Sequence, residues 1–383
     1  MLKETIQNTQ ENDASELSHM QLCQRVEKTP ENEYGFQRVD DIPPDEPTLL
    51  FLGGNSTTTD RAANGYMSAM ENFLKERGLN VGIYSVIYEF KADDGFERRS
   101  LFGKYRVPGR SHRYYFPSET EYFMINTENG SRGRNMPFPK EAHNPNYVKE
   151  LFDKAFLSRI TDKDGSKLPV DEACRRIRNL TVCAHCHGAY VFLKTEELLQ
   201  KKMEELGFSK EERSKIQKEL LCVAYAPDTP LGISKSTMIS FASSDDEQLI
   251  IGNNYAKEIR SRSRKKEFDI AYLPEKRGEI FIASKVNVSD DEDGYQSPDH
   301  YFLIAAEEDK LTEDGKTLRL FLGNAITEGV KSSVEGKPLP PVEDLVCGED
   351  KENLFEHAKE NGRVLVEKIN QNRLLAKLQK QND

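Results

Sequence analysis

Residues 181–190 read TVCAHCHGAY, and positions 183–187 hold Cys183, His185, Cys186 and His187. The whole chain of 383 residues contains only six Cys and seven His, so this crowding asks for a chemical cause. Three chemistries use these side chains. The first is metal binding, because thiolates and imidazoles are the ordinary ligands of zinc. A structural zinc site draws two ligand pairs from two chain segments, each pair separated by about two to four residues. Here the spacing is C-x-H-C-H and no second Cys/His pair follows; His112, His143 and His300 stand alone. Adjacent Cys186 and His187 would also face opposite sides of an extended segment. A metal-binding domain built on 183–187 is therefore the lesser alternative, and no metal or other cofactor is assigned. The second chemistry is redox: Cys183-Ala-His-Cys186 has the C-x-x-C spacing of dithiol proteins. Those proteins place the pair near the first strand, whereas strand candidates flank this one on both sides. The third is a nucleophilic thiol held on a turn.

The third reading depends on the elements around the motif. NLTVCAH reads as a buried strand, and AYVFLKTEELLQKKMEELG as an amphipathic helix stopped by Gly207. Between them, Ala184-His185-Cys186-His187-Gly188 has the form small-x-Cys-x-small. Earlier, TLLFLGG is a short apolar run ended by Gly53-Gly54. A helix with Met67, Met70, Phe73 and Leu74 on one face follows, ending at Gly78, and LNVGIYSVIYEF is the next strand. Later strands are ELLCVAYAP, STMISFASSDD and GEIFIAS. Strands alternating with helices predict an α/β fold: a mostly parallel central sheet with helices on both faces. Residues 145–178 read as helical with a turn at TDKDGSKLP, whose Gly comes too early for a calcium loop.

The motif in this setting resembles the nucleophile elbow of the α/β-hydrolase fold, G-x-S-x-G, with Cys186 for Ser and Ala184 for the first Gly. Dienelactone hydrolases share the Cys. The resemblance lies in element order and loop chemistry over roughly residues 47–305. It implies an α/β-hydrolase-like sheet and assigns roles residue by residue. Cys186 is the nucleophile. Ala184 and Gly188 are the small residues of the tight turn, and His185 packs beside it. Gly53, Gly54 and Asn55 form the oxyanion loop, with the N–H of His187 as second donor. Asp245 or Asp246 is the acid, and His300 the base. The implied reaction is acyl transfer to water on an ester, thioester or amide bond of a small molecule or peptide, with no cofactor.

Plainer readings stand beside these. Cys186 could be a buried structural cysteine. His300 could simply open a helix after Ser297-Pro298-Asp299. Asp245 and Asp246 lie in an acidic run of the kind that solvates a loop. A hydrolase-like scaffold that binds a protein partner without catalysis, using its polar N-terminus and acidic tail, is the alternative from another functional class.

Composition narrows the field further. The net charge of −11 disfavours a nucleic-acid backbone or an anionic membrane as partner. No run approaches the roughly 20 apolar residues of a membrane span. The N-terminus lacks the apolar stretch of a secretory signal, and the Cys are scattered, which points to reduced thiols in the cytoplasm, an unconventional export route aside. The expected organisation is a polar, irregular segment at 1–46, a domain at 47–345 with a lid or insertion at 91–144, and a helical segment at 346–383 packing on the domain.

Overall fold

The computed structural model describes residues 18–30, 32, 35–54, 57, 60–90, 146–227, 234–243, 261–262, 265, 267–273, 278–282, 312–348 and 353–382. Among them are nine strands and eight α-helices. The strands are β1 Ser18–Arg25, β2 Phe36–Val39, β3 Thr48–Leu52, β4 Gly82–Phe90, β5 Leu180–His185, β6 Leu221–Tyr225, β7 Thr237–Ser243, β8 Ile270–Leu273 and β9 Glu279–Ile282. The helices are α1 Asp60–Lys75, α2 Asn146–Leu151, α3 Val170–Arg178, α4 His187–Glu205, α5 Lys210–Lys218, α6 Glu313–Val334, α7 Val342–Cys347 and α8 Leu354–Asn382. All nine strands form one sheet in the order β2-β1-β4-β3-β5-β6-β7-β9-β8. The run from β4 to β9 is parallel. The outer pairs β2–β1, β1–β4 and β9–β8 are antiparallel. The expected class, a mostly parallel α/β sheet, is thus present.

Alternation along the strands divides the core into two layers. Leu49, Phe51, Cys183, Val223 and Tyr225 face α1, α6, α7 and α8. Leu50, Leu52, Val182, Ala184 and Ala224 face α2, α3, α4 and α5. Both faces of the central strands are buried, so they read in the sequence as unbroken apolar runs.

Residues 18–46, expected from their polarity to be irregular, instead supply β1 and β2, and β1 pairs with β4 from Ser18↔Phe90 to Gln24↔Tyr84; residues 1–17 lie outside the described residues. The apolar residues of β1, Met20, Leu22 and Cys23, are all buried, as are Phe36 and Ile42 beyond it. Arg25 donates to Glu71 at 2.8 Å, Asn64 at 2.9 Å and the Gly35 carbonyl at 3.0 Å. The proline-rich stretch that follows is held from inside the fold. Fully buried Arg159 donates to the carbonyls of Pro44 (3.1 Å), Pro43 (3.3 Å), Ala155 (2.9 Å) and Arg176 (2.5 Å). Burial pulls its pKa down to about 9, which still leaves the guanidinium charged at neutral pH.

TDKDGSKLP forms a plain turn: Asp162 N–H bonds to Ser166 O, and Gly165 takes φ 82°. At the far edge, α8 lies along β8. Asn361 Nδ2 donates to Ile270 O at 3.0 Å, and a Cβ on Gly362 would stand 1.6 Å from Tyr272 O. Among the described residues, no helix is long and apolar enough to cross a membrane.

Candidate functional site

β5 ends at His185, and α4 begins two residues on, at His187. The junction, Cys186, has φ 50° and ψ −118°, a conformation that an L side chain adopts only under strain. Its N–H bonds to Tyr225 O at 3.3 Å, and its carbonyl accepts from Ala189 N at 3.0 Å to begin the helix. Gly188 explains how the turn stays tight. A Cβ there would lie 2.0 Å from the Leu52 carbonyl oxygen, so only glycine lets the first turn of α4 rest on β3. Ala184 is fully buried between β3 and β6, paired with Leu52 and Ala224. The N-terminus of α4, which favours negative charge, therefore meets a thiol that is 8 % exposed.

Cys186 lies at the carboxyl edge of the parallel strands, where open α/β sheets place their sites. Gly53 and Gly54 leave β3 at the same edge. A Cβ on Gly54 would stand 3.3 Å from Cys186 Cβ and 3.4 Å from His185 Nδ1, so this backbone touches the turn. Gly53 is pressed against Thr57, whose Oγ1 would be 2.0 Å from a Cβ on that glycine. Thr57 N donates to Gly54 O at 3.0 Å, Tyr88 N donates to Thr57 O at 2.9 Å, and the Tyr88 hydroxyl donates to Gly53 O at 3.3 Å. These bonds engage the carbonyls of both glycines and do not draw on their N–H groups.

His185 points away from α4, into the other layer. Its ring stacks on Tyr225 with centroids 4.7 Å apart, and Nδ1 lies 3.4 Å from the Tyr66 hydroxyl. Tyr66 in turn stacks on Phe51 at 4.1 Å. This aromatic cluster under the turn was not foreseen, because its members lie on four separate segments. Nor was Ala226, one residue beyond β6, which shares the positive φ (45°) and donates to Phe241 O at 3.0 Å. Two strained residues therefore sit side by side at the ends of β5 and β6.

Cys183 and Cys222 are fully buried, and burial pushes both thiols far above their usual range, the reverse of what a redox cysteine needs. Burial likewise pushes Cys23 to about 11. Among the described residues, no group of three or more His, Cys, Asp or Glu side chains is placed to hold a metal ion.

Of the residues singled out by sequence, the structure brings together Gly53, Gly54, Ala184, His185, Cys186, Gly188 and the start of α4 at His187, whose side chain is outside the described residues. Asn55, Asp245, Asp246, His300 and the segment 91–144 also lie outside them. β7 ends at Ser243, two positions before Asp245. No protein-family model matches this chain, and no curated protein does.

Proposed function

We propose that this chain is an α/β-hydrolase-like enzyme that transfers an acyl group to water through Cys186. The observation that carries the reading is the backbone of Cys186: positive φ, between a central parallel strand and a helix N-terminus, against a diglycine loop from β3. Strain of this kind costs about 1–3 kcal/mol and is retained where it serves a site. In the α/β-hydrolase pattern the nucleophile occupies such a turn. The oxyanion donors are the N–H after it and one from the loop after the third strand. His187 N–H and the Gly53–Gly54 loop occupy those places in chain order.

The reaction runs as follows. His300 takes the Cys186 proton and the thiolate attacks the carbonyl carbon of an ester, thioester or amide. The carbonyl oxygen becomes an oxyanion, held by N–H of His187 and of the diglycine loop. As the tetrahedral species collapses, the leaving group departs with the proton from His300, and the acyl group remains on sulfur. Water then gives its proton to His300, adds to the thioester and releases the acid, restoring the thiol. Asp245 or Asp246 orients the imidazole. Each oxyanion donor is worth about 10²–10³ in rate.

The test is release of p-nitrophenol from p-nitrophenyl esters, with mass analysis of the acylated peptide. The reading expects an acyl group on Cys186 and loss of turnover in Cys186→Ala and His300→Ala. Equal turnover by wild type and Cys186→Ala would show that Cys186 is not the nucleophile, and no turnover by either would favour a scaffold without catalysis.

A further inference from the structure

We propose that Tyr88 is a positioning residue whose hydroxyl locks the Gly53–Gly54 peptide so that the Gly54 N–H faces Cys186. The inference rests on the reading of Cys186 as an acyl-transfer nucleophile and adds to it a part outside the triad and the turn.

The last β3–β4 pair is Phe51↔Ser85; β3 ends one residue later at Leu52, still paired with Ala184 of β5, while β4 continues to Phe90. Beyond Phe51 the β3–β4 ladder no longer holds the chain to β4, and Tyr88 replaces it at two points. Its main-chain N–H holds the Thr57 carbonyl at 2.9 Å, and its side-chain hydroxyl donates to the Gly53 carbonyl at 3.3 Å. The Gly53 C=O and the Gly54 N–H belong to one planar trans peptide, so they point in opposite directions. Fixing the carbonyl therefore fixes the amide. β4 and β5 flank β3 on opposite sides. A carbonyl turned toward a β4 side chain aims the amide toward β5, where Gly54 approaches Cys186 Cβ and the His185 ring.

The lock is needed because both flanking residues are glycine. With no Cβ on either side, a peptide plane can turn over at little steric cost. A flipped peptide would present the Gly53 carbonyl oxygen, not an N–H, to the developing oxyanion, replacing attraction by repulsion. The rest of Tyr88 supports this geometry: the side chain is 1 % exposed and its ring meets Tyr147 edge-on with centroids 5.5 Å apart. A phenylalanine in the same place keeps that packing and removes only the hydroxyl.

The test compares wild type with Tyr88→Phe in two reactions of the same thiol. Alkylation by iodoacetamide needs the thiolate but forms no oxyanion. Acylation by p-nitrophenyl acetate, read as the p-nitrophenol released above the Cys186→Ala background, needs both. The expected result is an acylation rate lowered about 10- to 100-fold with the alkylation rate unchanged, since losing an oxyanion donor outright costs about 10²–10³. Unchanged acylation would overturn the proposal. So would an equal fall in both rates, which would make Tyr88 a general support of the fold. A wild type that is alkylated at Cys186 but never acylated would overturn the acyl-transfer reading itself, and this proposal with it.

Discussion

Replacing Cys186 by glycine should stabilise the fold relative to Cys186→Ala, although both remove the thiol. At an ordinary buried position the order is reversed. Alanine keeps the contacts of one carbon, about 0.8 kcal/mol, and glycine loses about 0.4–1 kcal/mol through the freedom of the unfolded chain. At Cys186 a Cβ is carried at φ 50° and ψ −118°, and relieving such strain returns about 1–3 kcal/mol. At mid-range, relief of about 2 kcal/mol against losses near 1.5 leaves glycine ahead by roughly half a kcal/mol. Without strain, glycine would trail by about the same 1.5. The assay is urea unfolding of the two variants, with Ala189→Gly in the first turn of α4 as an unstrained comparison. A Cys186→Gly variant that trails Cys186→Ala by as much as Ala189→Gly trails wild type would refute the strain argument.

The remaining predictions concern the frame around that turn. Gly188→Ala puts a methyl 2.0 Å from the Leu52 carbonyl oxygen, so it should cost about 1–3 kcal/mol in urea unfolding and slow Cys186 acylation at least tenfold; an unchanged acylation rate would show that the turn tolerates a looser helix. Arg159→Met leaves four carbonyls without their charged donor and should destabilise by about 2–4 kcal/mol, a loss under 1 counting against the staple. Hydrogen bonds from Arg175 and then Arg176, opposed by partial desolvation, hold the Glu172 carboxyl at about 2, below its usual 4.5. Its contribution is therefore present above about pH 4.5 and lost as the pH falls toward 2. Because solvent screens the pair, Glu172→Gln should flatten that acid limb by no more than about 1 kcal/mol, measured as urea midpoints across the window.

Legibility in the sequence followed the range of the interactions. β3, β5 and β6 are apolar runs because both faces are buried, and α1 and α4 carry a 3.6-residue apolar stripe, so each was readable locally. The turn at Cys186 was readable too, since Ala184 and Gly188 record a steric demand in residue type. β1 was hidden because SHMQLCQR contains only three buried apolar residues and exists as a strand through β4, some 60 residues away in the chain. α6 carries three glycines, and the need for one of them is written in a partner: a Cβ on Gly323 would stand 2.2 Å from the Phe73 ring. β8 has only four residues, too few for a period to show. Tyr88 read simply as an aromatic of a strand, because its hydroxyl acquires a role only when β3 departs beside it.

The way α8 rests on β8 also bears on the behaviour of the chain in a crowded solution. Among the described residues β8 is the outermost strand at its end of the sheet, and an uncovered outer strand is a template on which another chain can add by main-chain pairing. Asn361 occupies the Ile270 carbonyl with a side-chain amide, and Gly362 brings helix backbone directly onto Tyr272. α8 thus acts as a guard against self-association into extended β assemblies, and any substitution at Gly362 that lifts the helix would exchange a local packing fault for a tendency to aggregate.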